Sequence, residues 1–481
     1  MRTEINMGGS AADYDSRRGR SDLINGSIET NANGEFVRIR KSAGLKEFTS
    51  VGNGPIRGMF RLKERLFVAS SNELYIVTTS GQTLIGNIGG STELVQFAAN
   101  GTDDNQVICI SDQRGFLFDD TSGFAEITDS NFNPDYSVAS LNQIFWVNKR
   151  DSNEFQGSNL ANGEVWPALR IASAEQSPDP IQYVAQKKSA IWFMGTRTCE
   201  YWQTDVSDTD VPLRPVLGAT LERGVGAKFS VAEWQDSIFF LADDFTVWMI
   251  NGTSYRKISD IALEYAIKGD GFKEGYTAPQ RAEGYFIDHP THKLYVLTFK
   301  SAKVTWVYDV STGLWHKRSS ENLGFWRGRT SALVFNRILV GDALSGQIWE
   351  LDENTYTEGD NKLTFQITTP PISADQADLF VSYIEPNIEV GVGEFSTVAL
   401  GVEKADLVEP LLDVEYSKNG GVTWKAKKPI KIGQHGNRQK ITRSYQFGRT
   451  KKGFNFVLRF TCADNIPLFF YKVFADLELG Q

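Results

Sequence analysis

The sequence predicts an all-β chain: a β-propeller of seven blades, with six as the fallback count, followed by a C-terminal β-sandwich-like domain. Three observations point there. A short apolar strand pattern recurs between Gly54 and Glu353, its copies lie about one blade apart, and beyond Asp360 it gives way to a different set of alternating strands.

The recurring cores are Arg65-Leu-Phe-Val-Ala69, Gln106-Val-Ile-Cys-Ile110, Gln143-Ile-Phe-Trp-Val147, Ala190-Ile-Trp-Phe-Met194, Ser237-Ile-Phe-Phe-Leu241, Lys293-Leu-Tyr-Val-Leu297 and Arg337-Ile-Leu-Val-Gly341. Their start-to-start spacings are 41, 37, 47, 47, 56 and 44 residues, against the about 40 to 50 of a four-stranded blade. A strand exposed on one face would alternate apolar and polar residues; an all-apolar run fits burial between neighbouring sheets. Most cores follow another short run, such as Gly58-Met-Phe-Arg-Leu62, and precede a third with an aromatic, such as Glu73-Leu-Tyr-Ile-Val77. Each unit therefore reads as a meander. The third unit is weakest, because its third strand is expected around Gly163 to Leu169, where Pro167 cannot donate to a ladder. The 56-residue spacing has a local cause: Ser259 to Ile267 reads as one short helix behind a Ser/Asp cap, ended by Gly269 and Gly271.

Domain boundaries follow. Residues 1–50 begin polar and read as an arm and closing strand, residues 51–358 as the propeller, and residues 359–481 as the sandwich-like domain. The last unit, Thr330 to Leu351, shows three strands, so a strand from the first 50 residues or from just after Asp360 is expected to close the ring. In the final segment strands are expected at Leu363 to Ile367, Leu379 to Tyr383, Asn387 to Val392, Asp413 to Tyr416, Asn455 to Thr461 and Leu468 to Leu477.

With 43 Gly against 15 Pro and 41% hydrophobic residues, the chain reads as folded and turn-rich rather than disordered or collagen-like. Cys109, Cys199 and Cys462 sit far apart in apolar runs, as buried free thiols do, and form no disulfide framework or zinc knuckle. Folding in a reducing cytoplasm is expected. No apolar stretch reaches the roughly 18 residues of a membrane span, and Met1 to Arg20 carries no apolar signal region. The net charge of −9 argues against a strong, sequence-independent grip on nucleic acid. Charge is uneven, however: Leu411 to Phe460 holds twelve basic and two acidic residues, a net of +10 that leaves −19 for the rest.

Motifs for enzyme chemistry are weak. Gly52-Asn-Gly54-Pro-Ile-Arg-Gly58 and Gly269-Asp-Gly271-Phe-Lys-Glu-Gly275 resemble dinucleotide loops, but the third Gly comes one position late and no helix opens behind a strand, so turns explain both. His289-Pro-Thr-His292 reads as a solvated hairpin loop rather than a metal shell. No catalytic residue, cofactor or metal is expected. Ser417-Lys-Asn419-Gly-Gly421-Val-Thr423-Trp424 matches the Asp-box turn with Asn in place of Asp, and its expected role is structural. Asp-boxes recur in sialidase propellers, so a glycan-binding or glycan-cleaving propeller with an accessory sandwich module is the alternative reading. The basic residues Lys425, Lys427, Lys428, Lys431, Arg438, Lys440 and Arg443 form a candidate assembly interface for an acidic partner surface. Tyr445, Phe447 and Phe454 offer rings for base stacking, against the commoner fate of aromatics in β-domain cores.

A wider pattern carries a resemblance. Leu23-Ile-Asn25-Gly-Ser-Ile-Glu29, Phe36-Val-Arg-Ile-Arg40-Lys-Ser-Ala-Gly44-Leu and Gly54-Pro-Ile-Arg57-Gly58-Met resemble the N-terminal signature of the packaged-DNA stabilisation proteins, or tail hubs, of short-tailed bacteriophages. Ala43 stands where that family usually has Pro. Thr198-Cys-Glu200-Tyr201-Trp, Glu222-Arg-Gly224-Val, Arg256-Lys-Ile-Ser259 and the stretch from Tyr416 through Trp424 and Arg459 to Asp476-Leu-Glu478 are also similar, in the same order. The resemblance implies a non-enzymatic virion tail component. It implies a homohexameric ring, or nozzle, below the portal and its adaptor ring, which helps retain packaged DNA and carries distal tail parts. Double-stranded DNA would pass transiently, without stable sequence-specific binding.

Overall fold

Seven four-stranded antiparallel sheets succeed one another along the chain in the computed structural model. The structure describes residues 2–5, 11–12, 20–31, 33–90, 92–102, 105–174, 178–269, 274–374, 376–392, 409–433, 436 and 438–480. Units one to six span 56–87, 96–126, 134–173, 181–221, 232–257 and 283–318. Unit seven takes Gly328–Val334, Arg337–Asp342 and Gln347–Asp352, and its fourth strand is Gly44–Ser50 from the N-terminal region. The seventh sheet is thus closed by a segment some 300 residues away, which satisfies an edge that the chain order leaves open.

The seven apolar cores are the second strands of the seven units. Alternate residues on each point to opposite neighbours, which explains why the run after the first position carries no charged or amide side chain. Val68 packs with Ile348 of unit seven while Ala69 packs with Cys109 of unit two. Ile108 meets Phe145, Trp146 meets Phe193, Trp192 meets Phe240, Phe239 meets Tyr295, and Val296 meets Val340, so the clusters run round the ring and return to unit one. All three cysteines are buried and free, and burial pushes the Cys109 thiol up to about 12.

Two local expectations need correction or refinement. In unit three the third strand is Glu154–Gly157 and the fourth Ile171–Ser173. Residues 163–169 form a loop instead, whose Trp166 is buried against Phe132. The inserted helix is Ile261–Lys268, capped by the Asp260 side chain, which accepts from the Leu263 amide, and ended at Gly269, whose φ is 85°.

Beyond the ring lie two sheets with one shared core. The first orders Gly26–Thr30, Phe36–Lys41, Phe469–Gly480, Asp378–Ile388 and Ser444–Thr450, with Arg2–Ile5 also on Phe469–Gly480. The second runs Arg20–Ile24, Phe365–Thr368, Val457–Cys462, Leu411–Ser417 and Lys425–Ala426. Ile5, Leu23, Ile28 and Ile39 are buried in this core beside Phe365, Leu458 and Phe470. Residues 20–41 are therefore strands of the sandwich rather than an arm. The strands expected at Leu379 to Tyr383 and Asn387 to Val392 are mostly one long strand, Asp378–Ile388, which accommodates Pro386 near a register shift. The second sheet also joins unit six, because Ile24 pairs in parallel with Lys317 of the strand Leu314–Arg318.

Candidate functional sites: basic hairpin, ring axis and joint

The Asp-box-like turn folds on its own side chains. The Ser417 hydroxyl donates to Asn419 Oδ1 at 2.8 Å and accepts from the Gly421 amide at 2.9 Å. Asn419 Oδ1 accepts from the Thr423 amide, and its amino group donates to Thr423 Oγ1, both at 2.9 Å. Gly420 and Gly421 take φ of 68° and 92°, the left-handed region that glycine enters without strain. Trp424 is half-buried, with the Arg459 guanidinium 3.7 Å above its ring. The polar atoms of this motif are occupied in holding the hairpin.

The basic segment is less charged in space than along the chain. Glu409 pairs with both Lys431 and Lys440, Glu385 with Arg443 at 2.6 Å, Asp378 with Arg449 at 2.7 Å, and Glu415 with Arg459 at 3.2 Å. Lys427 donates to the Gln446 carbonyl at 2.7 Å and lies 5.0 Å over Phe447. Lys425, Lys428 and Arg438 stay exposed and have no ion-pair partner among the described residues. Lys418 feels the remaining crowd: burial, then Lys425 and Lys427, push its ammonium below the usual lysine range. Phe447 is buried between Tyr416 and Phe456 and cannot stack on a base, whereas Tyr445 and Phe454 are exposed.

At the ring axis, polar side chains from opposite units meet. Arg57, fully buried in unit one, donates to the carbonyls of Glu93, Ser71 and Gly89 at 2.7, 2.8 and 2.9 Å and to Ser111 Oγ at 2.9 Å. Arg329 of unit seven pairs with Glu283 of unit six at 2.8 Å and donates to the Thr92 carbonyl. Against the cost of burial, Arg329 and then Lys300 hold Glu283 below the usual carboxylate range. Tyr136 of unit three accepts from Gln96 at 3.3 Å, and its burial, with the Glu283 carboxylate also in reach, pushes its hydroxyl up. The segment entering unit two contributes Leu94 to the buried cluster of Tyr136 and Tyr183. Side chains fill the axis at this level.

The joint between ring and sandwich gathers the N-terminal signature residues. Asn25 is buried at φ 54°, donates to the carbonyls of Ser319 and Thr364 at 2.8 and 2.9 Å, and accepts from the Ser319 amide at 3.0 Å. Arg318 donates to the Ala43 carbonyl, Lys317 pairs with Asp22, and Arg40 pairs with Glu353. A side chain at Gly54 would meet the backbone of Ser345 and Gly346 at 2.0 and 2.2 Å, so only glycine allows the turn beside unit seven. Gly52 to Pro55 make that turn and Ile56 to Gly58 already belong to the first strand of unit one; Gly269 to Gly275 lies partly outside the described residues. The hairpin loop expected at His289 to His292 is present, with Pro290 and Thr291 exposed, but both imidazoles are buried rather than solvated: His289 Nε2 lies 2.8 Å from Glu353 and His292 Nδ1 2.7 Å from Asp309. Sequence reading also missed His316, which joins them from the fourth strand of the same unit, Leu314–Arg318. No sequence spacing links positions 289 and 316. Among the described residues no cluster of three His, Cys, Asp or Glu has metal-holding geometry.

Comparisons with known proteins follow this architecture. A family model described as bacteriophage P22 Gp10, beta-propeller, matches residues 29–356, more than half of the chain. No curated protein matches. Similar solved structures include BamB from Moraxella catarrhalis, 11% identical, covering 73% of this chain and 97% of that one at a TM-score of 0.38. The computationally designed Ika8 protein, also 11% identical, covers 64% of this chain and 99% of its own, with a TM-score of 0.38. The N-terminal domain of Nup159 is 9% identical, with 68% and 98% coverage and the same TM-score of 0.38.

Proposed function

This chain belongs to that phage packaged-DNA stabilisation family, and from this premise we propose that it is a tail hub of a short-tailed phage. Several copies, six by the family resemblance, form a ring or nozzle that helps retain packaged DNA and joins the portal-adaptor ring to distal tail parts. The family makes it a phage structural protein; the ring and its connections are the finer reading. The observation that carries that reading is the filled axis beside a welded joint. A propeller whose own axis holds Arg57, Arg329, Glu283 and Tyr136 offers no bore to a duplex, so a passage for DNA has to be surrounded by several copies. A shared sheet between unit six and the sandwich makes each copy a stiff block, which suits a pressurised ring. A net charge of −9 keeps such a passage from holding DNA tightly. The exposed Lys425, Lys428 and Arg438 then present a basic face to an acidic surface on the neighbouring copy or on the adaptor ring.

Native mass measurement of the purified protein, alone and with portal-adaptor complexes, tests this. A closed ring of several copies supports the reading; a monomer at every concentration, with and without those complexes, overturns it. Reversal of Lys425, Lys427 and Lys428 to Glu should slow attachment and weaken its salt dependence, while costing about 0.5 kcal/mol or less at the exposed Lys425 and Lys428 and about 1 kcal/mol at Lys427, whose ammonium is hydrogen-bonded. Wild-type attachment rates across a salt series would remove the hairpin from the interface.

A further inference from the structure

Where the N-terminal sandwich strands meet units six and seven, a cavity of about 40 Å³ lies between the two regions. A water position needs about 10–15 Å³, so the space holds roughly three, the footprint of a small tetrahedral ion. Its walls come from three parts of the fold: Arg40 and Lys41 from the sandwich, His289, His292, His316 and Arg318 from unit six, and Glu353 just past unit seven.

Cationic residues with unused donor capacity are among those that line this space. Lys41 is fully buried and its ammonium makes one hydrogen bond, 2.7 Å to the Asp464 carbonyl, which leaves two N–H groups without a partner among the described residues. Arg318, 3% exposed, spends Nη2 on the Ala43 carbonyl and lies 3.8 Å over Trp326, while its Nε has no partner. The His316 ring, buried beside them, makes no hydrogen bond among the described residues. Glu353 is the one acid among the described lining residues, and it is already engaged by His289 at 2.8 Å and Arg40 at 3.3 Å. Asp309, behind the wall, is taken by His292. Three guanidinium or ammonium cations thus share one carboxylate within the lining, and Glu358, outside it, offsets part of the Arg318 charge; the donors left over are buried, where unpaired charged donors are costly. Burial pushes the Lys41 ammonium down to about 8, as an under-compensated cation requires.

We infer that this cavity binds a small inorganic oxyanion of the phosphate class, with Lys41, Arg318 and Arg40 as cationic donors and His316 as a neutral one. The ion ties the sandwich to the propeller at their joint. This site is independent of the assembly reading, since each copy carries it whole.

The test compares thermal unfolding of the full chain in sodium chloride and in sodium phosphate at equal ionic strength and pH 7. Phosphate should raise the unfolding temperature along a saturating curve by about 3 °C or more at high occupancy. In the wild type, phosphate should shift the ring resonances of His289, His292 and His316 with the same midpoint. Lys41→Met should abolish the shift, and Arg40→Gln, at a position that is not fully buried, should raise the phosphate midpoint at least about fivefold, by roughly 1 kcal/mol of lost contact. A purely kosmotropic effect rises without saturation and survives both substitutions; that result, or no difference from chloride, overturns the site.

Discussion

The propeller and the sandwich are built from the same kind of strand but by opposite routes. In units one to six every strand pairs with the next one along the chain, and a single long-range strand, Gly44–Ser50, completes unit seven. The sandwich has a few pairs of consecutive strands, such as Gly26–Thr30 with Phe36–Lys41 and Leu411–Ser417 with Lys425–Ala426, but most of its pairs join distant parts of the chain. Its Arg20–Ile24 lies between unit six and Phe365–Thr368, and its Phe36–Lys41 pairs with Phe469–Gly480. Local pairing gives the ring a modular core at low loop-closure cost, whereas the sandwich waits for both ends of the chain. The difference places the fragile step of folding in the region that also carries the joint.

The largest effect is expected where the sandwich depends on the N-terminal strands. Leu23→Asp buries an unpaired carboxylate in a core with no partner for it and should cost more than about 4 kcal/mol. Limited proteolysis should then cut within residues 359–481 while a fragment of the ring survives. Loss of both regions in one transition would mean that they are a single cooperative unit, and the contrast drawn above would fail.

A smaller loss is expected inside the ring. Arg57→Ala removes four hydrogen bonds made by a fully buried guanidinium and leaves a cavity between units one and two, at a cost of about 3–5 kcal/mol in chemical denaturation. The sandwich core should keep its protection from hydrogen exchange; equal loss in both regions would show that the axis supports more than the ring.

Acid sharpens the comparison at the joint itself. Burial pushes His316 down to about 3, despite the attraction of Asp309. In the unfolded chain a histidine titrates near about 6.5, so the unfolded state takes up the proton first as pH falls. The stability held by the neutral ring is full above about pH 6.5 and drains away towards about pH 3, at no more than about 1.4 kcal/mol per pH unit. His316→Gln should flatten that slope in denaturation midpoints taken at pH 7, 6 and 5, and an unchanged slope would assign it to other groups.

The smallest effect belongs to the basic hairpin. Trp424 is half-buried under Arg459, so the full core penalty of about 3–5 kcal/mol for a truncated indole does not apply, and Trp424→Ala should cost about 1–2 kcal/mol. Removing the turn's own bonds with Asn419→Ala should cost about 1 kcal/mol. A loss above about 3 kcal/mol for either would make the hairpin part of the sandwich core.

Seven apolar cores, one capped helix and the need for a closing strand were legible in the residues alone. Each is a local pattern: a strand packed on both faces has to be apolar throughout, and a short helix has to satisfy its own ends. The fourth strands were not legible, because strands such as Gly81–Asn87 and Ser254–Lys257 are largely exposed and carry no apolar signature. Nor was Glu154–Gly157, whose Gln and Gly are buried by neighbours rather than by their own hydrophobicity. Tertiary structure alone decided three things. It moved residues 20–41 from an arm into a core, it neutralised much of the basic stretch with Glu385, Glu409 and Asp378 from outside it, and it brought His316 to His289 and His292. Periodicity reports what a residue does with its chain neighbours, and charge pairing, burial and strand partnership across hundreds of residues depend on distances in space that no spacing along the chain encodes.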